Sequence, residues 1–266
     1  MNKAIFFDID GTLIGKAEGI PEITPRVQQA IKNLQADGNY IFIATGRPYA
    51  FLHRQFKDFG FDGFVLSNGA LIFLNDEIIY KDALDKNLTK TVCNIADAEN
   101  INYILESYPQ TYLKKDAPAA EEFLHKIEVE YSNFIRDFDI DKISVSKIEC
   151  VSNRADLDAL DKVYKKMLDT PGLTGWADPF HFKTMEIYSD KTSKATGILK
   201  VLDHLKIDIK NSYAFGDGYN DKEMLKTVGT GFVMDTAKDD VKECADHIVP
   251  SVFEDGVAVG IEKFIL

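Results

Sequence analysis

Ala4, Ile5, Phe6 and Phe7 form the first unbroken apolar run of the chain, and it stops abruptly at Asp8-Ile9-Asp10-Gly11-Thr12. So short a run, bounded by turn chemistry, predicts a strand buried on both faces rather than a helix. Beyond it, Val27, Ile31 and Leu34 recur at helical spacing between the start signal Thr24-Pro25 and the stop signal Gly38. A second apolar run, 40–44, ends in Thr45-Gly46-Arg47-Pro48 and leads into a helix expected to bury Phe51, Leu52, Phe56 and Phe59. A third, 64–66, ends in Ser67-Asn68-Gly69, and residues 71–74 and 78–80 read as a hairpin turning at Asn75-Asp76.

From about Lys81 the texture changes: charge rises and the polar connections lengthen. Helices are expected over 89–100, 119–129 and 155–168, with strands over 102–106, 143–151, 173–176 and 180–188. The strand-helix alternation resumes at Ser193 with a helix carrying Ile198, Val201, Leu202 and Leu205. A strand at 213–215 then ends in Gly216-Asp217-Gly218-Tyr219-Asn220-Asp221. A short helix at Met224-Leu225, a strand at 231–234, a helix at 241–244, a strand at 247–249 and a helix at 257–264 complete the pattern. Strands alternating with helices imply a parallel sheet covered on both faces. The expected fold is α/β: a doubly wound, Rossmann-like core built from residues 1–81 and 186–266, interrupted by an α+β cap at 82–185.

Composition narrows the partners. Apolar residues make up 45% of the chain and charged residues 28%, with a formal charge of −12. That balance fits a globular protein and argues against nucleic acid or an anionic membrane as partner. Cys93, Cys150 and Cys244 are widely spaced and odd in number, so they are expected as reduced thiols in a cytoplasmic protein. No basic-then-apolar leader and no long apolar run is present, and monomer and dimer both stay open.

The polar clusters gather at strand ends. Parallel strands place their carboxyl ends on one edge, so Asp8-x-Asp10-Gly11-Thr12, Thr45-Gly46-Arg47, Lys194 and Asp217 with Asp221 converge across two hundred residues of sequence. Any one of them is also an ordinary turn, and only the set points to a site. Carboxylates of Asp8, Asp217 and Asp221 in one crevice repel unless a cation sits among them. All-oxygen ligation without His or Cys favours Mg²⁺ over zinc. The Thr45 hydroxyl, backbone N–H groups near Gly46, and the Lys194 ammonium suit a phosphate oxygen.

The order D-I-D-G-T, T-G-R, a lone Lys and G-D-G-Y-N-D resembles the haloacid dehalogenase superfamily, in its Cof-type branch with a large α/β cap. The resemblance covers essentially the whole chain. It implies that Asp8 is the nucleophile and Asp10 the general acid and base. It implies Mg²⁺ held by Asp8, Asp217 and the Asp10 carbonyl, with Asp221 bracing the shell. Thr45, Gly46, Asn220 and Lys194 would bind the phosphoryl group; Arg47 would touch substrate or tie its loop. Many relatives follow the lysine with Gly where this chain has Ala195, and Lys191 is a nearby competitor for the role. The aromatic stretch Trp176 to Phe182 is expected to pack within the cap or to face the leaving group.

The implied activity is Mg²⁺-dependent hydrolysis of small phosphorylated metabolites, sugar phosphates foremost. Cofactor phosphates such as pyridoxal phosphate or flavin mononucleotide, and a phosphomutase reaction, are the rivals within this chemistry. From another class, a phospho-accepting signalling domain would use similar carboxylates but needs neither Asp10 nor a cap.

Overall fold

A computed structural model of the protein describes residues 2–15, 19–178 and 183–266. Residues 179–182, which carry most of the aromatic stretch singled out above, lie outside the described residues. The chain divides into two units, one made of Met1–Gly46, Arg54–Lys81 and Ser193–Leu266, the other of Arg47–His53 and Asp82–Thr192.

The first unit is built on β1 (Ala4–Phe7), β2 (Tyr40–Ala44), β3 (Gly63–Leu66), β4 (Leu71–Leu74), β5 (Glu77–Lys81), β11 (Ser212–Gly216), β12 (Thr230–Met234) and β13 (His247–Val249). Among the described residues these form one sheet in the order β13-β12-β11-β1-β2-β3-β4-β5. The strands from β13 to β3 run parallel, while β4 and β5 close the edge as an antiparallel hairpin. The chain winds outward from β1 in one direction through β2 and β3 and in the other through β11 to β13. The switch point of this Rossmann-like core therefore lies between β1 and β11, where α/β sheets open a crevice for ligands.

Alternation along the central strands explains the layers. Phe6, Phe42, Ala44 and Ala214 point to the face covered by Ile198, Val201 and Leu202 of α6 (Lys194–Leu205) and by Met224 and Leu225 of α7 (Lys222–Thr227). Phe6 stacks on Phe42 with ring centroids 5.1 Å apart. Emptying either position to Ala would cost about 3–5 kcal/mol. The opposite face carries α1 (Pro25–Ala36) and α9 (Gly256–Phe264), which pack on each other. Pro25 at the first position of α1 and the Thr24 hydroxyl accepting from the Val27 N–H start that helix as its sequence predicts.

The second unit is an antiparallel sheet, ordered β7-β6-β8-β10-β9 among the described residues. Its strands are β6 (Asn102–Glu106), β7 (Tyr112–Leu113), β8 (Lys147–Val151), β9 (Leu173–Asp178) and β10 (Thr184–Ser189). One face presents Tyr103, Leu105, Ile148, Cys150, Met185 and Ile187 to α3 (Lys86–Ala98) and α5 (Leu157–Leu168). On the other face, Ile104 and Val151 meet Ala120 and Leu124 of α4 (Pro118–Lys126). That second face also carries a charged cluster: Lys147 Nζ lies 3.0 Å from the half-buried Glu186 and 3.4 Å and 3.9 Å from the buried Glu106 and Glu149. Burial pushes the Glu106 carboxyl up to about 8 despite the neighbouring ammonium. Three carboxylates together outweigh desolvation at Lys147 and hold it charged.

Two expectations need correction, and one strand went unpredicted. The helix expected to bury Phe51 with Phe56 is broken: Tyr49–Phe51 is a single 3-10 turn, Leu52 is extended, and a separate α2 covers only Arg54–Lys57. Pro48 begins the first turn, and Phe51 belongs to the second unit, where it stacks on Phe134. The strand expected over 143–151 is regular only over Lys147–Val151, after a 3-10 turn at Ile140–Lys142. The two-residue β7 carries too short a pattern to be seen in sequence. The cysteines are free and buried, and no helix among the described residues is long and apolar enough to cross a membrane.

Candidate active site

Asp8 follows β1 directly, and its N–H donates to Phe215 O of β11 at 3.0 Å, so the strand pairing that builds the sheet also fixes the first carboxylate. Its side chain is buried, and Lys194 Nζ donates to its Oδ1 at 2.6 Å. Lys194 occupies the first position of α6, where an ammonium opposes the helix dipole and would ordinarily be unfavourable. It is nevertheless completely buried, because it also donates to Asp221 Oδ1 at 2.6 Å. The start of α6 is held by reciprocal bonds between Ser193 and Thr196, which fixes the root of the lysine stem. Lys191 is exposed in the turn after β10, so it is Lys194 that the fold brings to Asp8.

The loop after β11 is organised by Asp221. Its Oδ2 accepts from the backbone N–H groups of Asp217 at 3.0 Å and Gly218 at 2.8 Å, while its Oδ1 takes the Lys194 bond. Asp217 is thereby turned back toward β1, where the Thr12 hydroxyl donates to its Oδ1 at 2.7 Å. Gly11, at φ +82°, passes so close that a Cβ there would lie 2.1 Å from Asp217 Oδ2. Carboxylate oxygens of Asp8, Asp217 and Asp221 all come within 4.8 Å of one another.

Charge in this crevice does not balance. Three carboxyl groups face one ammonium, and fully ionised they would carry two excess negative charges in a largely buried space. Burial and mutual repulsion raise Asp8 well above the usual carboxylate range, with Lys194 pulling the other way. Burial and the nearby Asp221 push Asp217 up to about 7, which the Thr12 hydrogen bond opposes. These oxygens fit a divalent metal ion, because its two charges match the excess and its ligand preference matches the donors.

The other expected residues divide between the units. Asp10 is exposed two residues beyond Asp8, in a turn closed by Leu13 and Ile14 N–H groups donating to Ile9 O. Thr45 is buried at the end of β2, and its carbonyl accepts from the Asn68 N–H at 3.1 Å. Gly46, also buried, ends that stretch of the first unit. Asn220 is exposed on the Asp221 loop, and its Nδ2 donates to Asn68 Oδ1 at 3.2 Å. Arg47 groups with the second unit, where its Nη1 donates to Phe51 O at 3.5 Å.

Two residues of this site carried no assigned role in the sequence. Thr12 was visible in the D-I-D-G-T cluster, and its hydroxyl at a strand-end turn was the available signal. Asn68 ended a strand in Ser-Asn-Gly, a cluster that also describes a plain turn.

Comparison with known proteins places this geometry. Residues 5–261 match the haloacid dehalogenase-like hydrolase family. YkrA of Bacillus subtilis (strain 168), provisionally named as a phosphatase, is 30% identical over 98% of this chain and 97% of its own. The 5-amino-6-(5-phospho-D-ribitylamino)uracil phosphatase YitU of the same organism is 28% identical over 98% of this chain and 96% of its own. Among solved structures, the HAD subclass IIB sugar phosphatase BT4131 superposes with a TM-score of 0.84 at 26% identity, covering 99% of both chains. With a matched profile spanning nearly its whole length and the carboxylate-lysine constellation at its sheet switch point, the chain belongs to the haloacid dehalogenase-like hydrolases.

Proposed function

We propose that the protein is a Mg²⁺-dependent phosphatase of small phosphorylated metabolites, working through an aspartyl-phosphate at Asp8. The observation that carries this reading is the Lys194 ammonium bonded to Asp8 inside a cluster of three carboxyl groups. A phosphate monoester is itself an anion, so a carboxylate nucleophile works only where that repulsion is neutralised. Asp8 and Asp217, with the Asp10 carbonyl, are the groups that would hold Mg²⁺, and Asp221 would brace them. When bound, the ion supplies positive charge to the crevice and keeps the carboxylates ionised.

The remaining steps belong to the chain. An Asp8 oxygen attacks phosphorus, the bond from phosphorus to the ester oxygen breaks, and Asp10 gives its proton to the departing alcohol. A water then attacks phosphorus, Asp10 takes back a proton, and inorganic phosphate leaves with Asp8 restored as carboxylate. Thr45, the N–H groups around Gly46, Asn220 and Lys194 hold the phosphoryl oxygens in line. Arg47 serves substrate or its own loop. The inserted α+β segment, 82–185 by the sequence pattern, would act as the cap that selects the leaving group, in a cytoplasmic protein.

Sugar phosphates are the foremost substrate class, supported by the likeness to BT4131. The likeness to YitU favours phosphorylated ribityl compounds as a second class. Phosphate release from a panel of both, together with pyridoxal phosphate, flavin mononucleotide and p-nitrophenyl phosphate, tests the reading. Turnover should require Mg²⁺, vanish with excess EDTA and vanish in Asp8→Asn. Activity indifferent to chelation would remove the metal from the account. Return of an isomeric phosphate would make the protein a mutase, and a single phosphorylation without turnover would make it a signalling domain.

A further inference from the structure

Two consecutive buried residues at the end of β3 hold backbone conformations that their side chains disfavour. Ser67 has φ 47° and Asn68 φ 54°, followed by Gly69 at φ 96°, and both side chains are essentially inaccessible. Left-handed backbone costs an L-residue about 1–2 kcal/mol, and a glycine would avoid that cost. At position 69 glycine is required, since a Cβ there would lie 2.2 Å from Ser193 O, just before Lys194. At position 68 no such collision fixes the choice. Asparagine tolerates this region better than most residues, which explains its preference over other side chains but not a carboxamide kept buried at the site.

The contacts of Asn68 supply a reason. Its N–H donates to Thr45 O at 3.1 Å and its Oδ1 accepts from Asn220 Nδ2 at 3.2 Å. One residue thus ties the end of β2 to the loop after β11, and the next one abuts the start of α6. Asn220 is exposed, on a single 3-10 turn spanning Tyr219–Asp221, and its side chain would otherwise sample several rotamers. We propose that Asn68 is a positioning residue that fixes the Asn220 carboxamide for the transferring phosphoryl group. This inference rests on the phosphatase reading above. The strained turn sets the backbone N–H of Asn68 on Thr45 O and, from the same residue, its carboxamide on Asn220.

Asn68→Gly separates function from fold, because it removes the carboxamide while relieving the backbone. The variant should melt at the wild-type temperature or above it. Its kcat/KM for p-nitrophenyl phosphate should fall about tenfold or more, and its affinity for inorganic phosphate, measured by calorimetry, should weaken by a similar factor. Combined with Asn220→Ala it should lose no more than Asn220→Ala alone, since one acts through the other. Wild-type values within twofold, fully additive losses, or a lower melting temperature in Asn68→Gly would each overturn the proposal. If the wild type binds phosphate but releases none from any ester, the phosphatase reading fails, and the binding comparison still decides the role of Asn68.

Discussion

The carboxylate of Asp217 occupies the space that a side chain on Gly11 would fill: a Cβ at position 11 would stand 2.1 Å from Asp217 Oδ2. The D-I-D-G-T turn and the loop after β11 are thus fitted to each other through the absence of one methyl group. Thr12, the next residue, donates its hydroxyl to the other oxygen of the same carboxylate at 2.7 Å.

Gly11→Ala should therefore damage metal binding ahead of the fold. Its positive φ adds strain of about 1–2 kcal/mol, and the displaced Asp217 should weaken divalent-ion affinity at least tenfold. Thr12→Val should weaken it less, and Thr12→Ser should restore it. Titration with Mn²⁺ followed by electron paramagnetic resonance checks all three. Unchanged affinity in Gly11→Ala would show that Asp217 does not reach the ion.

Lys194 bonds both Asp8 and Asp221 and is wholly buried, so its removal leaves buried carboxylates facing each other. Lys194→Met should destabilise the metal-free protein by about 3–5 kcal/mol at neutral pH. Saturating Mg²⁺ should recover part of that loss while turnover stays abolished. Urea unfolding with and without the ion measures this. A variant as stable as the wild type without metal would mean that the ammonium is not what holds the carboxylates together.

The strand-end clusters were legible in sequence because a parallel sheet turns distant segments into neighbours at one edge. The start of α6 was legible too, since Ser193 and Thr196 stand at capping spacing and Lys194 follows the cap. The break after Arg47 was not. Leu52, Phe56 and Phe59 stand at helical spacing, but the chain passes to the second unit at Arg47 and returns at Arg54, so Phe51 and Phe56 fall in different units. Asn68 was hidden for another reason: the letters Ser-Asn-Gly do not show that two non-glycine residues are held left-handed and buried. Nor could sequence assemble Glu106, Lys147, Glu149 and Glu186, which become neighbours only through the register of three strands.

That last cluster predicts how stability depends on pH. The Glu106 carboxyl titrates near 8 in the folded protein, against 4.5 ordinarily, because burial penalises its charge. A raised folded value means that its contribution is fully present below about pH 4.5 and is lost as pH climbs through 8. Glu106→Gln does not titrate. Its stability relative to wild type should therefore rise between pH 5 and pH 9, by on the order of a few kcal/mol. Urea midpoints across that range test this, and parallel profiles for the two proteins would contradict a neutral Glu106.

The covalent step at Asp8 is the centre of the functional account. Acid quenching during turnover of p-nitrophenyl phosphate, followed by borohydride reduction and peptide mass spectrometry, reads it directly. An aspartyl-phosphate at Asp8 should appear as homoserine at that residue alone, only when substrate and Mg²⁺ are both present. Steady phosphate release with no reduced residue at position 8, or with the label at Asp10, would contradict the mechanism.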